Sequence, residues 1–346
     1  MVDESPATSP RARARAVSIR DVAALAGVSV TTVSNVLNST NRISDATRER
    51  VQRAIRELGY VRNAAAHQLR AGSSATIGLI VPDGSNPFYA QIARGAEDAA
   101  WKSGGTVLLG NSNFDPERES RYIDLFEQQR VLGVLIAPVA DTTSRIEQLT
   151  QRGLTTVVVG RVAHPDRCSS VSVDNVAGGI LAVRHLLDQG RRRIAFIGPT
   201  GWPGAIDRLA GARVAVEDAA DASLEPIDSG GSSVADGHRI AEELAARAPE
   251  ARPDAIFCAN DLLATGVLHA FVDRGIRVPA DVALIGYDDI ASAASAIVPL
   301  SSIRQSGELI GRTAVELLQQ EVADRSHQPR HVLFPPELVE RRSTKG

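Results

Sequence analysis

From Thr76 onward, short apolar runs alternate with longer amphipathic stretches, and this alternation limits the possible folds more than any other feature of the chain. The runs are Ile77–Val81, Val107–Leu109, Val134–Ala137, Thr156–Val159, Ile194–Ile197, Ala255–Cys258 and Val282–Ile285. Between them, Phe88–Lys102, Arg118–Gln129, Val176–Asp188, Ala235–Arg247 and Asp261–Arg274 read as helices; Val176, Ile180, Val183 and Leu187 show the helical spacing well. Wholly apolar strands separated by helices predict parallel sheets covered on both faces. There are too many such units for one compact sheet, so two doubly wound lobes are expected, with a division near Asp174–Asn175. The strand Ser301–Ile303, the helix Leu309–Glu321 and the strand Val332–Phe334 are candidates for crossing back between them.

The segment before this pattern is different. Residues 18–62 read as three short helices. Ser18 is positioned to cap the first, where Ile19, Val22, Ala23 and Ala26 form a stripe that Gly27 ends. Ser29 is positioned to cap the second, with Val33, Val36 and Leu37 inward. The third begins after Ser44, buries Val51, Ile55 and Leu58, and stops at Gly59. Residues 1–17 read as a disordered basic arm carrying Arg11, Arg13 and Arg15. Residues 63–74 read as a short Ala-rich hinge helix and linker, too short to be stable alone. The expected fold class is α/β: a small all-α helix-turn-helix head plus two doubly wound parallel-sheet lobes. The body spans 75–346, with a first lobe at about 75–174 plus about 303–330 and a second at about 175–302 plus about 331–343.

The net charge of -3 hides an asymmetry. Residues 1–70 carry eleven Arg against six acidic residues, so the rest of the chain is acidic. A basic head suits a polyanion, although a basic stretch alone also fits a solvated tail. No apolar run reaches membrane-spanning length, and Met1–Ala16 lacks the apolar core of a secretory signal, so a cytoplasmic location with no membrane contact is expected. Cys168 and Cys258 form no CxxC pair and are expected to be free thiols. Phosphate-loop, HExxH and GxSxG motifs are absent, and His164 with Cys168 lacks the second close pair a metal site needs. Adjacent Asp288 and Asp289 point apart, which disfavours paired acid–base work. An enzyme, a cofactor and a metal are therefore not expected.

In residues 19–36 two short helices meet at a tight turn containing Gly27, the arrangement of a helix-turn-helix. The second helix offers Val30, Thr31, Thr32, Ser34 and Asn35. Asn pairs with adenine, Thr donates or accepts, and Thr and Val meet thymine methyls. Arg48 and Arg50 suit phosphates. By itself this pattern equally fits a three-helix bundle with a polar surface. The stretch Ile19–Asn38, IRDVAALAGVSVTTVSNVLN, resembles the signature of the LacI/GalR family of transcriptional regulators. The likeness continues through Ile43-Ser44, Thr47-Arg48, Val51, Ala54-Ile55, Leu58-Gly59-Tyr60 and Asn63, and then along the remainder of the chain. The resemblance implies that Val30, Thr31 and Asn35 contact bases of double-stranded operator DNA. It implies that Thr32, Asn38, Thr47 and Arg48 hold the backbone, and that Leu69 wedges into the minor groove from the hinge. Apart from the family, Leu69 reads as a core leucine. The family often has Arg where this chain has His67, so the hinge is expected to hold less firmly.

In open α/β sheets, ligands bind beyond the carboxyl ends of the strands. Those positions hold Asn86 and Phe88, Asn111 and Asn113, Gly160 and Arg161, a loop with Trp202 leading to Arg208, Asn260 and Asp261, Tyr287 to Asp289, and Gln305. Amides, carboxylates and Arg bind hydroxyls, and aromatic faces stack on C–H surfaces. Each Asn or Asp also fits a helix cap, Asp261 in particular. The body resembles the family's effector domain, which is similar to periplasmic sugar-binding proteins. By that resemblance Phe88, Arg161, Arg208, Asn260, Asp288 and Gln305 match ligand contacts. Asn86-Pro87-Phe88 resembles ribose-type binders, and Arg208-Leu-Ala-Gly211 is a family hallmark. Gly160 departs from it, because ribose-type sites carry an acidic residue there. The expected function is a repressor, acting as a homodimer, whose operator affinity is switched by a small polar effector, most simply a sugar. A purine-type effector in the same scaffold is the alternative. A transport-type sugar-binding protein would share the body but has no use for residues 1–70.

Overall fold

A computed structural model describes residues 17–37, 43–60, 74–139, 143–162, 168–324 and 328–345. The basic arm through residue 16, Asn38, the hinge with His67 and Leu69, and His164 lie outside the described residues. The chain divides into an N-terminal unit, Met1–Ser73, and a body, Ser74–Gly346.

The N-terminal unit contains α1 (Ile19–Ala26), α2 (Val30–Leu37) and α3 (Asp45–Leu58). The Asp21 carboxylate accepts from both the N–H and the hydroxyl of Ser18, closing the start of α1. Gly27 ends that helix with φ 62, a left-handed conformation that side chains resist. Ser29 Oγ then accepts from Thr32 N–H at 3.0 Å and starts α2. Val22, Ala23 and Ala26 of α1, Val33 and Val36 of α2, and Val51 and Ala54 of α3 bury one another in a small core. The alternation of caps and apolar stripes in the sequence therefore becomes a compact three-helix packing.

The body starts with β1 (Thr76–Val81), α4 (Pro87–Lys102), β2 (Thr106–Asn111), α5 (Pro116–Gln128), β3 (Gly133–Ile136), α6 (Thr143–Gln151), β4 (Thr155–Val159) and β5 (Ser170–Val173). A second series follows: α7 (Asn175–Asp188), β6 (Arg193–Gly198), α8 (Pro203–Glu217), β7 (Ser223–Asp228), α9 (Val234–Ala245), β8 (Ala255–Cys258), α10 (Asp261–Asp273) and β9 (Ala283–Asp288). The chain ends with α11 (Ala291–Ala294), β10 (Ser301–Arg304), α12 (Gly307–Ala323), β11 (His331–Phe334) and β12 (Glu337–Val339). One sheet has the order β11-β5-β4-β3-β1-β2 and the other β12-β10-β9-β8-β6-β7. Every pairing is parallel except β10 with β12.

Period-two alternation explains why helices cover both faces of the first sheet. Ile77, Leu79 and Val81 pack in one core with Ile92 of α4 and Ile310 and Leu318 of α12, while Ile80 packs in another with Ile123 and Phe126 of α5. In both sheets the strand order reverses beside the first strand of the series, between β1 and β3 and between β6 and β8. Such reversals open a crevice at the carboxyl ends of the strands.

Two expectations need correction. Residues 331–343 do not all join the second lobe: β11 pairs with β5 in the first sheet, and only β12 pairs with β10 in the second. Pro335 and Pro336 stand between them; without N–H donors they cannot continue a strand, so the chain changes sheet there. In addition, Arg208 lies within the helix α8, which the apolar periodicity did not reveal because its buried face includes Gly204, Ala205, Gly211, Ala212 and Ala215.

Candidate ligand crevice and DNA-reading helix

The crevice is built from groups at the carboxyl ends of β1, β3, β4, β6, β9 and β10. Asn86 caps α4: its Oδ1 accepts from Phe88 N–H at 3.0 Å. Its Nδ2 donates across the lobes to Asp288 Oδ2 at 3.1 Å. Gln305, at the crossover after β10, donates to the other oxygen of Asp288 at 2.6 Å. Asp288 is 2% exposed and has φ 105, an unusual backbone conformation for a residue with a side chain. Burial pushes its carboxyl pKa up, opposed by the Arg208 guanidinium and by the Asn86 and Gln305 donors.

Arg208 is equally enclosed. Its Nη1 lies 3.9 Å from Asp288 Oδ1 and donates to the Ala259 carbonyl, and its Nε donates to Asn175 Oδ1 at 3.0 Å. The guanidinium sits 3.6 Å from the Tyr287 ring centroid and 5.1 Å from that of Trp202. Burial raises the Tyr287 hydroxyl to about 12, so it stays protonated. Asn175 also donates to the Gly160 carbonyl at 3.3 Å, tying the end of β4 to the start of α7. A planar, fully donating side chain is thus held rigidly by five different partners.

Phe88, Arg161, Arg208 and Gln305 line a narrow chamber together with Tyr89 and Trp202. Asn86 and Asp288 stand behind it as braces. Asn260 does not join the lining: it caps α10, accepting from Leu263 N–H at 2.8 Å, and donates to the Ser232 carbonyl at 3.0 Å. Asp261 is not the cap; its buried carboxylate accepts from the Ser302 hydroxyl and from Ile290 N–H. Trp202 and Tyr287 stand in the site, as expected from their places after strands, and Asn175 joins it without an expectation from the sequence. The signal for Asn175 is an amide beyond the carboxyl end of β5, a strand whose alternating Ser and Val give no apolar run.

In the N-terminal unit, Val30, Thr31 and Asn35 are exposed on α2, whose sequence contains no charged residue. Thr32, Thr47 and Arg48 are half-buried. Ser44 donates to Thr47 Oγ1 at 3.0 Å, fixing the first turn of α3. Among the described residues no cluster of His, Cys, Asp and Glu suited to a metal occurs, and no helix is long and apolar enough to cross a membrane.

Comparison with known proteins agrees with this architecture. The family profile for bacterial regulatory proteins of the lacI family matches residues 18–63, and that for a periplasmic binding protein-like domain matches residues 183–344. The HTH-type transcriptional repressor PurR of Aliivibrio fischeri (strain ATCC 700601 / ES114) is 34% identical over 336 residues, covering 95% of this chain and 98% of the relative. Its counterpart in Vibrio atlanticus (strain LGP32) is 32% identical over 331 residues with the same coverage. Among solved structures, the lac repressor dimer bound to operator and the anti-inducer ONPF has 29% identity and a TM-score of 0.82, covering 96% of this chain and all of that one. A complex of the transcriptional regulator CelR with cellobiose has 34% identity and a TM-score of 0.68, covering 94% and 99%. This chain belongs to the lacI family of DNA-binding transcriptional repressors.

Proposed function

We propose that this repressor is switched by a small polyhydroxylated molecule, a sugar, bound between the lobes of its body, and that it acts on its operator as a homodimer. The observation that carries this reading is the rigid pairing of Arg208, on the helix that follows β6, with Asp288, at the carboxyl end of β9. A fixed fork of donors beside a carboxylate acceptor, with Trp202 and Phe88 as apolar walls, matches the alternating O–H and C–H surfaces of a sugar. Solved relatives in complex with cellobiose and with ribose support the same ligand class.

At the DNA end, Val30, Thr31 and Asn35 read base edges in the major groove, and Thr32, Thr47 and Arg48 hold phosphates. Asn38 and the hinge leucine Leu69 complete the interface on family resemblance. Ligand binding changes how the lobes meet, and so changes the operator affinity of the dimer.

The test is a thermal-shift screen of the full chain with pentoses, hexoses, disaccharides, nucleosides and purine bases, followed by operator binding with each hit. A sugar that raises the melting temperature and alters operator affinity is the expected result. A purine or nucleoside that does so while no sugar does would replace the effector class, and the likeness to repressors named PurR in Aliivibrio fischeri and Vibrio atlanticus is the reason for testing both.

A further inference from the structure

Two adjacent residues with side chains, Asp288 and Asp289, both have positive φ, 105 and 54, at the end of β9. Such a pair is strained for any residue but glycine and persists only where its surroundings hold it. Asp288 is held by the crevice groups described above. Asp289 lies outside the chamber lining, and its carboxylate is spent on two arginines. Its Oδ2 accepts from Arg304 Nε at 2.8 Å and its Oδ1 from Arg341 Nη2 at 2.6 Å. Its N–H donates to Ser302 Oγ at 3.0 Å. Ser302 donates in turn to the buried Asp261, which also accepts from the N–H of Ile290, the next residue of the turn.

The two arginines stand where the chain changes lobes. Arg304 is the last residue of β10, and Gln305 after it begins the crossing to α12. Arg304 also pairs with Glu337, the first residue of β12, where the chain enters the second sheet after β11. Arg341 follows β12 and donates as well to the Leu300 carbonyl, just before β10. These contacts close a ring. Asp288 is joined to Asp289 through the chain and Asp289 to Arg304 by the ion pair. Arg304 is joined to Gln305 through the chain, and Gln305 to Asp288 by its 2.6 Å hydrogen bond. Two sides of the ring are covalent, so the ion pair fixes how Gln305 meets Asp288.

We propose that Asp289 is a positioning residue of the switch: by clamping Arg304 and Arg341 it holds Gln305 on Asp288 and so sets the resting angle between the lobes in the effector-free repressor. Its consequence for DNA rests on the reading above that operator affinity follows how the lobes meet.

Asp289→Asn tests the clamp, because asparagine tolerates the left-handed backbone and keeps the side-chain shape while losing the charge. The chain has two tryptophans, so Trp101→Phe leaves Trp202, 5.1 Å from the Arg208 guanidinium, as the sole indole reporter. In that background the effector-free, full-length protein is measured well below its melting temperature. The readouts are small-angle scattering, Trp202 emission, and binding to DNA that the parent protein selects from a random duplex pool. The expected result is a larger radius of gyration, a shifted Trp202 emission and a DNA affinity altered about threefold or more. Arg304→Gln, at a half-exposed side chain, opens the same ring and gives the same result even where Asp289→Asn does not fold. Arg341→Lys keeps a cation on Asp289 and retains most of the parental behaviour, whereas Arg341→Gln does not. Arg277→Gln removes an ion pair with Asp281 before the other end of β9 and changes none of the three readouts. A lowered melting temperature with parental scattering and emission means that Asp289 only stabilises the fold, and it overturns the inference. An equal response to Arg277→Gln overturns it too. Altered scattering and emission with parental DNA affinity upholds the clamp and overturns the reading that the lobe angle governs the operator.

Discussion

At 2% exposure, the Asp288 carboxylate has little water to solvate it, and its charge depends on Asn86, Gln305 and the Arg208 guanidinium 3.9 Å away. The two partners respond differently to losing one another. Without Arg208, Asp288 can take up a proton, in the direction burial already pushes it; without Asp288, Arg208 cannot lose its charge. Asp288→Asn is therefore expected to cost about 3–5 kcal/mol of stability at neutral pH. Arg208→Met, which keeps the packing volume, should cost less. Urea denaturation of both variants checks this, and an equal or reversed order would refute the asymmetry. A second buried acid, Glu119, accepts from Val139 N–H at 3.0 Å and has its pKa raised to about 7, mainly by burial. Its folded-state pKa lies above its unfolded value, so its contribution is fully present below about pH 4.5 and declines as pH rises to about 7, by at most about 3 kcal/mol. Glu119→Gln removes that slope. Unfolding free energies compared between pH 4 and pH 8 should diverge in this window, and parallel curves for the two proteins would contradict it.

The helix α8 holds Arg208, and its crossing with α7 sets where that guanidinium stands. A Cβ on Gly179 would lie 2.1 Å from the Arg208 carbonyl oxygen, and one on Gly211 would lie 2.0 Å from the Val176 carbonyl oxygen. Both obstacles are backbone, so neither can yield without moving a helix. Gly179→Ala is expected to cost about 3 kcal/mol, at the upper end of overpacking effects, and to weaken effector binding more than operator binding. Calorimetric unfolding and parallel titrations measure both; an unaltered melting temperature would mean the crossing is looser than it stands. The same helix shows where the sequence was and was not legible. Strands such as Ala255–Cys258 are readable as wholly apolar, wholly buried runs, and helices such as Phe88–Lys102 because burial there follows the helical period. The helix α8 buries glycine and alanine rather than an apolar stripe, and β5 (Ser170–Val173) is wholly buried although half of its residues are Ser. Backbone closeness and hydrogen bonding, not hydrophobicity, decide those elements. In the crevice, Phe88, Arg161, Arg208 and Gln305, singled out by their places beyond strands, line one chamber. Position alone could not distinguish Asn260, whose amide is used up as a cap and brace, because capping and ligand binding draw on the same residue types at the same places.

The two lobes are joined by three crossings, after β5, after β10 and between β11 and β12, and such a triple connection restrains sliding while permitting a change in the angle between them. Away from the crossings, the Asn86–Asp288 hydrogen bond spans the lobes directly. Asn86→Asp makes a selective probe of that contact. Aspartate caps a helix as well as asparagine does, so the start of α4 is preserved. The donor, however, becomes a second carboxylate facing Asp288, and the pair can remain together only by sharing a proton. At neutral pH the lobes of the variant should part, which small-angle scattering of the protein would register as a larger radius of gyration than that of the parent chain. Lowering the pH toward 4 should shrink the difference as one carboxyl takes up a proton. An effector that favours the closed lobes should then bind the variant at least tenfold more weakly. Linkage makes the consequence for the operator quantitative: the factor by which effector changes operator affinity must equal the factor by which operator changes effector affinity. Measuring both factors in the parent and in Asn86→Asp closes a thermodynamic cycle. If the lobe contact carries the coupling, the two factors move toward one together in the variant. If they stay at the parental value while effector binding weakens, the contact holds the ligand but does not transmit to DNA.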